Sequence, residues 1–406
     1  VAKIEAFAKL PGREELLGML AATWMAPITN MNLPTPAGYS SDDFYSGSKA
    51  ALHGGTTTII DFVTPKKGEA LPRALDQRIE EAEKARCNYK LHVSPINFHS
   101  ETEKEIKACI DKGVNSFKVY TAYKNSIGIE DAELKQVMKV IAKYNKLLLV
   151  HSEDGDKIDR LRKQYINEGK TSPEYHPKSR PPETEADAVK KVLEMAAETQ
   201  CKVYIVHVSA KESIEHIRKA RQSGQTVYAE TCPHYLLLND QAYSGEFKKT
   251  AGFVLSPPLR AAGNEKNLWQ AVSDSTFNTI GTDHCPFTST QKAQGIHDFT
   301  KIPNGAGGVE HRPALLYTFG VLKNKINLNR FVELMSTQAA KIFGLYPNKG
   351  IVQEKADADL VIWNPQKKNI ISKKTHRQQT DINIYEGTKT TGEAETVILN
   401  GEIVKL

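Results

Sequence analysis

The chain has 406 residues, 40% of them hydrophobic and 25% charged, and carries a net charge of +6 from 54 basic and 48 acidic side chains. It is too long for one small domain and fits a barrel of about 200–250 residues with appendages. So small a charge excess, spread along the chain, argues against a nucleic-acid partner. No apolar run approaches the length that spans a bilayer, which argues against a membrane partner. Five cysteines (Cys87, Cys109, Cys201, Cys232, Cys285) show no C-x-x-C spacing. They point to a reducing compartment, read as the cytoplasm, without a disulfide framework. The cluster Lys367, Lys368, Lys373, Lys374, His376 and Arg377 reads as a solvated surface segment. No signal peptide is visible, and the start at Val1 is expected to be processed or incomplete.

In chain order, Val1 to Phe7 reads as the end of a short strand, and Thr23 to Leu33 as a second extended segment. Ser41 is the expected N-cap of a helix opened by Asp42 and Asp43 and running through Leu52. Strand-type runs then alternate with charged helical stretches. The runs are Thr56–Phe62, Tyr89–Ile96, Ser116–Tyr123, Lys146–Ser152, Lys202–Ser209, Thr226–Thr231 and Phe277–His284. Helices are expected near 69–86, 102–112, 131–144, 183–199 and 212–223, with a large loop from Ser172 to Pro182. With the segment near 24–33 this makes eight strand candidates, which close most economically into a (β/α)₈ barrel. A doubly wound open sheet is the runner-up, weakened because no G-x-G-x-x-G follows the first strand. Past about residue 345 the character changes. Ala358–Trp363, Ile382–Tyr385 and Thr396–Val404 read as short strands, and Asn400-Gly401 signals a hairpin. The division is therefore residues 1–22 as an N-terminal segment, 23–345 as the barrel and 346–406 as a β-sandwich segment.

Lys118 interrupts an apolar strand. Either it snorkels to water from the strand end, or it faces a polar site. The ends of neighbouring strands bear on the choice. His151 ends Leu-Leu-Leu-Val-His, His207 ends Tyr-Ile-Val-His, and Asp283 ends Thr-Ile-Gly-Thr-Asp. In a barrel these ends build the active site. Imidazoles and a carboxylate that leave coordination positions open describe a catalytic zinc site and metal-assisted hydrolysis. His234, Cys285 and the loop Pro303–Gly308 are weaker candidates, for a loop role, a small buried residue and a substrate-contacting or plain surface loop.

With these residues assembled, the chain resembles the dihydropyrimidinase and hydantoinase branch of the cyclic amidohydrolases. The resemblance runs from about Asp42 to the C-terminus. It is carried by residues 42–61, Ser116–Lys124, Val150–Asp156, Val206–Ser209, Leu255–Arg260, Gly281–Phe287 and Lys301–Gly305. It implies a (β/α)₈ barrel with a β-sandwich appendage and a binuclear zinc site, bridged by a carboxylated lysine at the position of Lys118; this chain is expected to hold one or two of those zinc ions. His151 and His207 match the ligands of one metal, and Asp283 the aspartate that binds the other and shuttles the proton. Tyr123 matches the oxyanion-stabilising tyrosine. Ser256 and Asn304 match residues whose backbone groups hold the cyclic amide or imide substrate. A homotetramer is also implied. One departure stands out: where the family has His-x-His on the first barrel strand, this chain has Asn30-Met31-Asn32. The segment before residue 33 is also shorter than the family's, so the β-sandwich is expected to be incomplete. Amides are poor zinc ligands beside imidazoles. Two functions follow: a cyclic amidohydrolase working on one zinc or an altered pair, or a catalytically impaired relative acting as a scaffold through protein partners.

Overall fold

A computed structural model describes residues 20–22, 24–124 and 126–404. The strand expected at Val1–Phe7 lies outside these residues. The strands are β1 (Leu20–Ala22), β2 (Trp24–Thr29), β3 (Pro34–Thr35), β4 (Gly38–Tyr39), β5 (Thr56–Val63), β6 (Asn88–Val93) and β7 (Ser116–Tyr120). They continue with β8 (Leu147–His151), β9 (Lys202–Ile205), β10 (Val227–Thr231), β11 (Thr279–Ile280), β12 (Leu360–Ile370), β13 (Lys389–Leu399) and β14 (Glu402–Val404). Eight of them form one sheet in the order β11-β10-β9-β8-β7-β6-β5-β2, and every pairing in it is parallel. Helices between successive strands cover its outside, and the ring closes between β2 and the segment after β11. Thr29 bridges His284 in parallel register, and Asn30 N–H donates to the His284 carbonyl at 2.9 Å. Arg312 stitches the same seam lower down. Its Nη1 donates to the carbonyls of Met25 (2.6 Å) and Ile280 (2.8 Å), and its Nη2 to Thr56 Oγ1 at 3.2 Å. This is the (β/α)₈ barrel, so the open doubly wound sheet is excluded.

Alternation along the strands sorts the side chains, because successive residues point to opposite faces. Phe117, Val119, Leu148, Val150, Val203 and Ile205 pack outward against the helices. Met25, Ile60, Phe62, Leu147, Leu149 and Tyr204 fill the interior, where Ala339, Ala340 and Phe343 pack against them. Lys118, His151 and Glu230 share strand parity with the interior set. The second sheet is antiparallel, in the order β1-β12-β13-β14. It joins the barrel through an aromatic cluster in which Trp24 lies 4.9 Å from Trp363 and 5.7 Å from Phe331. Trp24 is fully buried, and truncating such a side chain costs about 3–5 kcal/mol.

Several expectations are corrected. The first helix spans Phe44–His53 and is capped by Asp43, whose carboxylate accepts from Ser46 N at 2.8 Å; Ser41 is not the cap. Asp42 is instead buried against His284, with Oδ2 to Nε2 at 3.0 Å. The loop 172–182 contains a short helix, Tyr175–Lys178. Ile382–Tyr385 is no strand. Ile384 and Tyr385 pack as a turn against Leu315 and Ile371, so their apolar character serves a local cluster and not a ladder. The Asn400-Gly401 hairpin is present, both residues having positive φ (52° and 85°), as a two-residue turn between antiparallel strands requires.

Candidate active site

Strands β7, β9 and β11 end earlier than their apolar runs suggest, and the reason lies in the site. Tyr123, His207 and Asp283 have φ of 63°, 38° and 44°. These left-handed values are incompatible with a continuing parallel ladder. Non-glycine residues adopt such conformations at a cost, and they cluster at functional sites.

Lys118 is 1% exposed, so the snorkelling reading fails. Its Nζ lies 5.0 Å from the ring centres of both Phe62 and Tyr120. Burial pulls its ammonium down to about 7, opposed by the carboxylates of Asp283 and Glu230. Beside it on β8, register pairs Tyr120 with His151. The imidazoles of His151 and His207 meet edge to face, with Nδ1 of His151 and Nε2 of His207 2.9 Å apart. Burial, with His151 and Lys118 nearby, drives the His207 pKa well below its ordinary value, leaving the neutral imidazole that ligates metals. The other ring nitrogen of His151, Nε2, lies 2.8 Å from Oε2 of Glu153.

Glu153 is fully buried and also accepts from Arg180 Nη1. Burial alone would raise its carboxyl, but Arg180 and His151 hold it at about 2. Arg180 in turn lies over the Tyr123 ring, 5.5 Å from its centre, and that ring is 5.3 Å from His151. Burial raises the Tyr123 phenol above its ordinary range, so it stays a donor. Neither Glu153 nor Arg180 stands out in the sequence. The available signal was parity: Glu153 follows His151 by two residues, the spacing that returns a side chain to the same face of an extended chain.

Asp283 receives a hydrogen bond from Asn30 Nδ2 at 3.2 Å on Oδ1. Burial raises its pKa, against the pull of Lys118 and His151. The backbone of the Asn30–Asn32 turn is gripped from outside the barrel. Asp61 Oδ2 accepts from Met31 N (2.8 Å) and Thr29 Oγ1 (2.7 Å), while Arg78 reaches both Asp61 and the Met31 carbonyl. Asn32 sits at φ 51°. The Oδ1 of Asn304 is buried without a hydrogen-bond partner among the described residues, and the buried Ser256 side chain faces the Tyr123 hydroxyl. Buried polar groups are normally satisfied, so such an unpartnered atom suits a ligand.

Of the weaker candidates, His234 is buried with Nε2 unpartnered. The Cys285 thiol is buried and its pKa pushed far up, which fits the inert reading. All five cysteines are free and buried. The lysines and Arg377 of the 367–377 cluster are exposed.

Among the described residues, no three His, Cys, Asp or Glu side chains group as a ready-made metal cluster. The donors do fit one metal if Lys118 supplies the third. Two imidazole nitrogens converge, and one ring is braced by a carboxylate on its far side, as metal-ligating histidines usually are. The half near Asp283 fits poorly, since the group against the carboxylate is an amide, a poor zinc ligand beside imidazole.

The amidohydrolase family model matches residues 12–404. The chain belongs to the amidohydrolase family. Within it, this amidohydrolase is 40% identical to a D-hydantoinase of Geobacillus stearothermophilus over 381 residues, 93% of this chain and 81% of that protein. It is 39% identical to a dihydropyrimidinase of Dictyostelium discoideum over 380 residues, 93% of this chain and 76% of that protein. A crystal structure of dihydropyrimidinase from Brevibacillus agri superposes with a TM-score of 0.94 at 38% identity, covering 95% of this chain and 85% of that one. The amidohydrolase is therefore a member of the dihydropyrimidinase and hydantoinase branch.

Proposed function

We propose that this amidohydrolase opens the ring amide of dihydropyrimidines or hydantoins, using zinc, to give N-carbamoyl amino acids. The observation that carries the reading is the convergence of His151 Nδ1 and His207 Nε2 beside buried Lys118, with Glu153 behind the first imidazole. Lys118, carboxylated on Nζ, would hold the metal with His151 and His207. Bound zinc supplies a water acidified to a pKa of about 7 and a Lewis acid for the ring carbonyl.

The chain's own residues account for the remaining work. Ser256 and Asn304 hold the ring amide. Tyr123, kept protonated by burial and placed next to His151, donates to the oxyanion that develops on the carbonyl oxygen. Asp283 takes the proton of the attacking water and returns it to the leaving ring nitrogen. A carboxyl raised by burial suits both halves of that transfer. Asn30 and Asn32 leave the position next to Asp283 without imidazoles, so the reading is one zinc per chain and reduced activity. Free buried thiols fit a reducing, cytoplasmic setting, and homotetrameric assembly completes the reading.

The scaffold alternative rests on Asn30 and Asn32 alone, and the relatives named above, enzymes by name, lend it no support. The test is metal analysis of purified protein together with incubation with dihydrouracil and a 5-substituted hydantoin. One zinc per chain and an N-carbamoyl acid product are expected. Metal-free protein without turnover at saturating substrate would overturn the proposal.

A further inference from the structure

Apart from Lys118, the chain buries a lysine with no part in the chemistry above. Lys292, on the short helix Ser289–Lys292, is 2% exposed. Its partners are not carboxylates. Nζ donates to the carbonyls of Val254 (2.8 Å), Pro303 (2.7 Å) and Gly305 (2.8 Å). An ammonium has three donors and no acceptor, so all three are committed. Burying such a group is unfavourable unless every donor is satisfied, and here three backbone oxygens do that.

The placement of those oxygens is specific. Pro303 and Gly305 flank Asn304, and Val254 stands two residues before Ser256. Gly305 N–H donates to the Val254 carbonyl at 3.0 Å, so the two segments are also tied directly. Gly305 has φ 143°, and a Cβ there would meet the Cys285 carbonyl oxygen at 2.4 Å, which leaves this crossing no slack. The Phe287 ring, 5.6 Å from Nζ, closes one side. Of the side chains the two segments carry, Asn304 Oδ1 is buried and unpartnered and Ser256 faces the Tyr123 hydroxyl.

We infer that Lys292 is a positioning residue for substrate: it fixes the separation of the Ser256 and Asn304 segments, and so sets how tightly the cyclic amide is held. The inference rests on the proposed function, because it assigns those segments to the ring. Lys292 touches neither the reacting atoms nor the metal ligands. Its loss therefore falls on substrate binding and leaves the chemical step largely alone.

The test compares the metal-loaded full chain with Lys292→Met, which keeps the length and removes the donors, and Lys292→Gln, which keeps part of them. With dihydrouracil, Lys292→Met is expected to raise KM about ten- to hundredfold with kcat within about threefold, and Lys292→Gln to fall between. Zinc content should match the parent. Hydrogen exchange should quicken in peptides covering 252–260 and 301–308. Should Lys292→Met fail to fold, Lys292→Gln decides. A lowered Tm with unchanged KM shows a merely structural lysine and overturns the inference, as does a fall in kcat alone. A parent protein that neither binds nor opens dihydrouracil or the hydantoin overturns the proposed function and this inference with it. An active parent with an unshifted variant overturns only the inference.

Discussion

Replacing Glu153 with glutamine tests whether the carboxylate behind His151 does two jobs at once. The shape is kept, since Thr121 Oγ1 still accepts from the residue 153 N–H (3.0 Å) and donates to its carbonyl (2.8 Å). What is lost is the charge facing Arg180, which is 2% exposed. Holding the Glu153 carboxyl at about 2 instead of 4.5 corresponds to about 3 kcal/mol of stability at neutral pH. The general cost of leaving one partner of a buried pair uncompensated is about 3–5 kcal/mol, which agrees. Spread over the unfolding entropy of a chain this long, about 3 kcal/mol lowers Tm by roughly 4 °C. The second effect is on metal: loss of the group bracing a ligating histidine lowers affinity about 10–100-fold. Differential scanning calorimetry reads the first, and competition against a chromophoric zinc chelator the second. A Tm within about 1 °C of the parent would refute the ion-pair argument. A lowered Tm with unchanged zinc affinity would refute Glu153's role toward the metal while leaving its role in stability.

Asn30→His with Asn32→His should add a second zinc per chain and raise kcat/KM about 100-fold, roughly 2.7 kcal/mol of barrier. Metal analysis without a second zinc would show that the turn no longer presents ligands to the site. Arg312→Met removes the donors for the Met25 and Ile280 carbonyls at the seam and should destabilise by about 3 kcal/mol or more, read by denaturant unfolding. Stability should also fall in mild acid. Burial holds His92, His176 and His311 at about 3 in the folded chain against an ordinary 6.5, so below 6.5 the unfolded chain takes up protons that the folded chain refuses. Stability is therefore full above 6.5 and declines as pH drops toward 3, by about 1.4 kcal/mol per pH unit for each histidine. Urea titrations from pH 7 to 5 measure the slope, and a flat profile would contradict it.

The barrel was legible because its strands are continuous apolar runs, and Lys118, His151 and Asp283 were conspicuous as polar residues set against them. His207 stands out in the same way although it lies past the end of β9, since the run before it is recognisable. What escaped depends on contacts between distant parts of the chain. Arg180 sits in a stretch that reads as loop, and only the fold brings it to Glu153. Lys292 is an ordinary lysine in a polar stretch until three carbonyls from two other segments surround it. Ile382–Tyr385 was misread because an apolar run records burial and not the ladder it belongs to. Asp42 went to His284, and not to the helix's first turn, for a similar reason: a long-range hydrogen bond holds its carboxylate.

The bracket of Asp61 and Arg78 around Met31 has a genetic consequence. It holds the turn by its backbone and takes no grip on the side chains of residues 30 and 32. An asparagine codon differs from a histidine codon by a single base, and histidine, like asparagine, is among the side chains that tolerate the φ of 51° at position 32. Placing imidazoles at both positions thus takes two single-base changes and leaves the bracket that holds the turn's backbone untouched. A library confined to these two codons, screened for opening of a hydantoin, is small enough to be sampled completely.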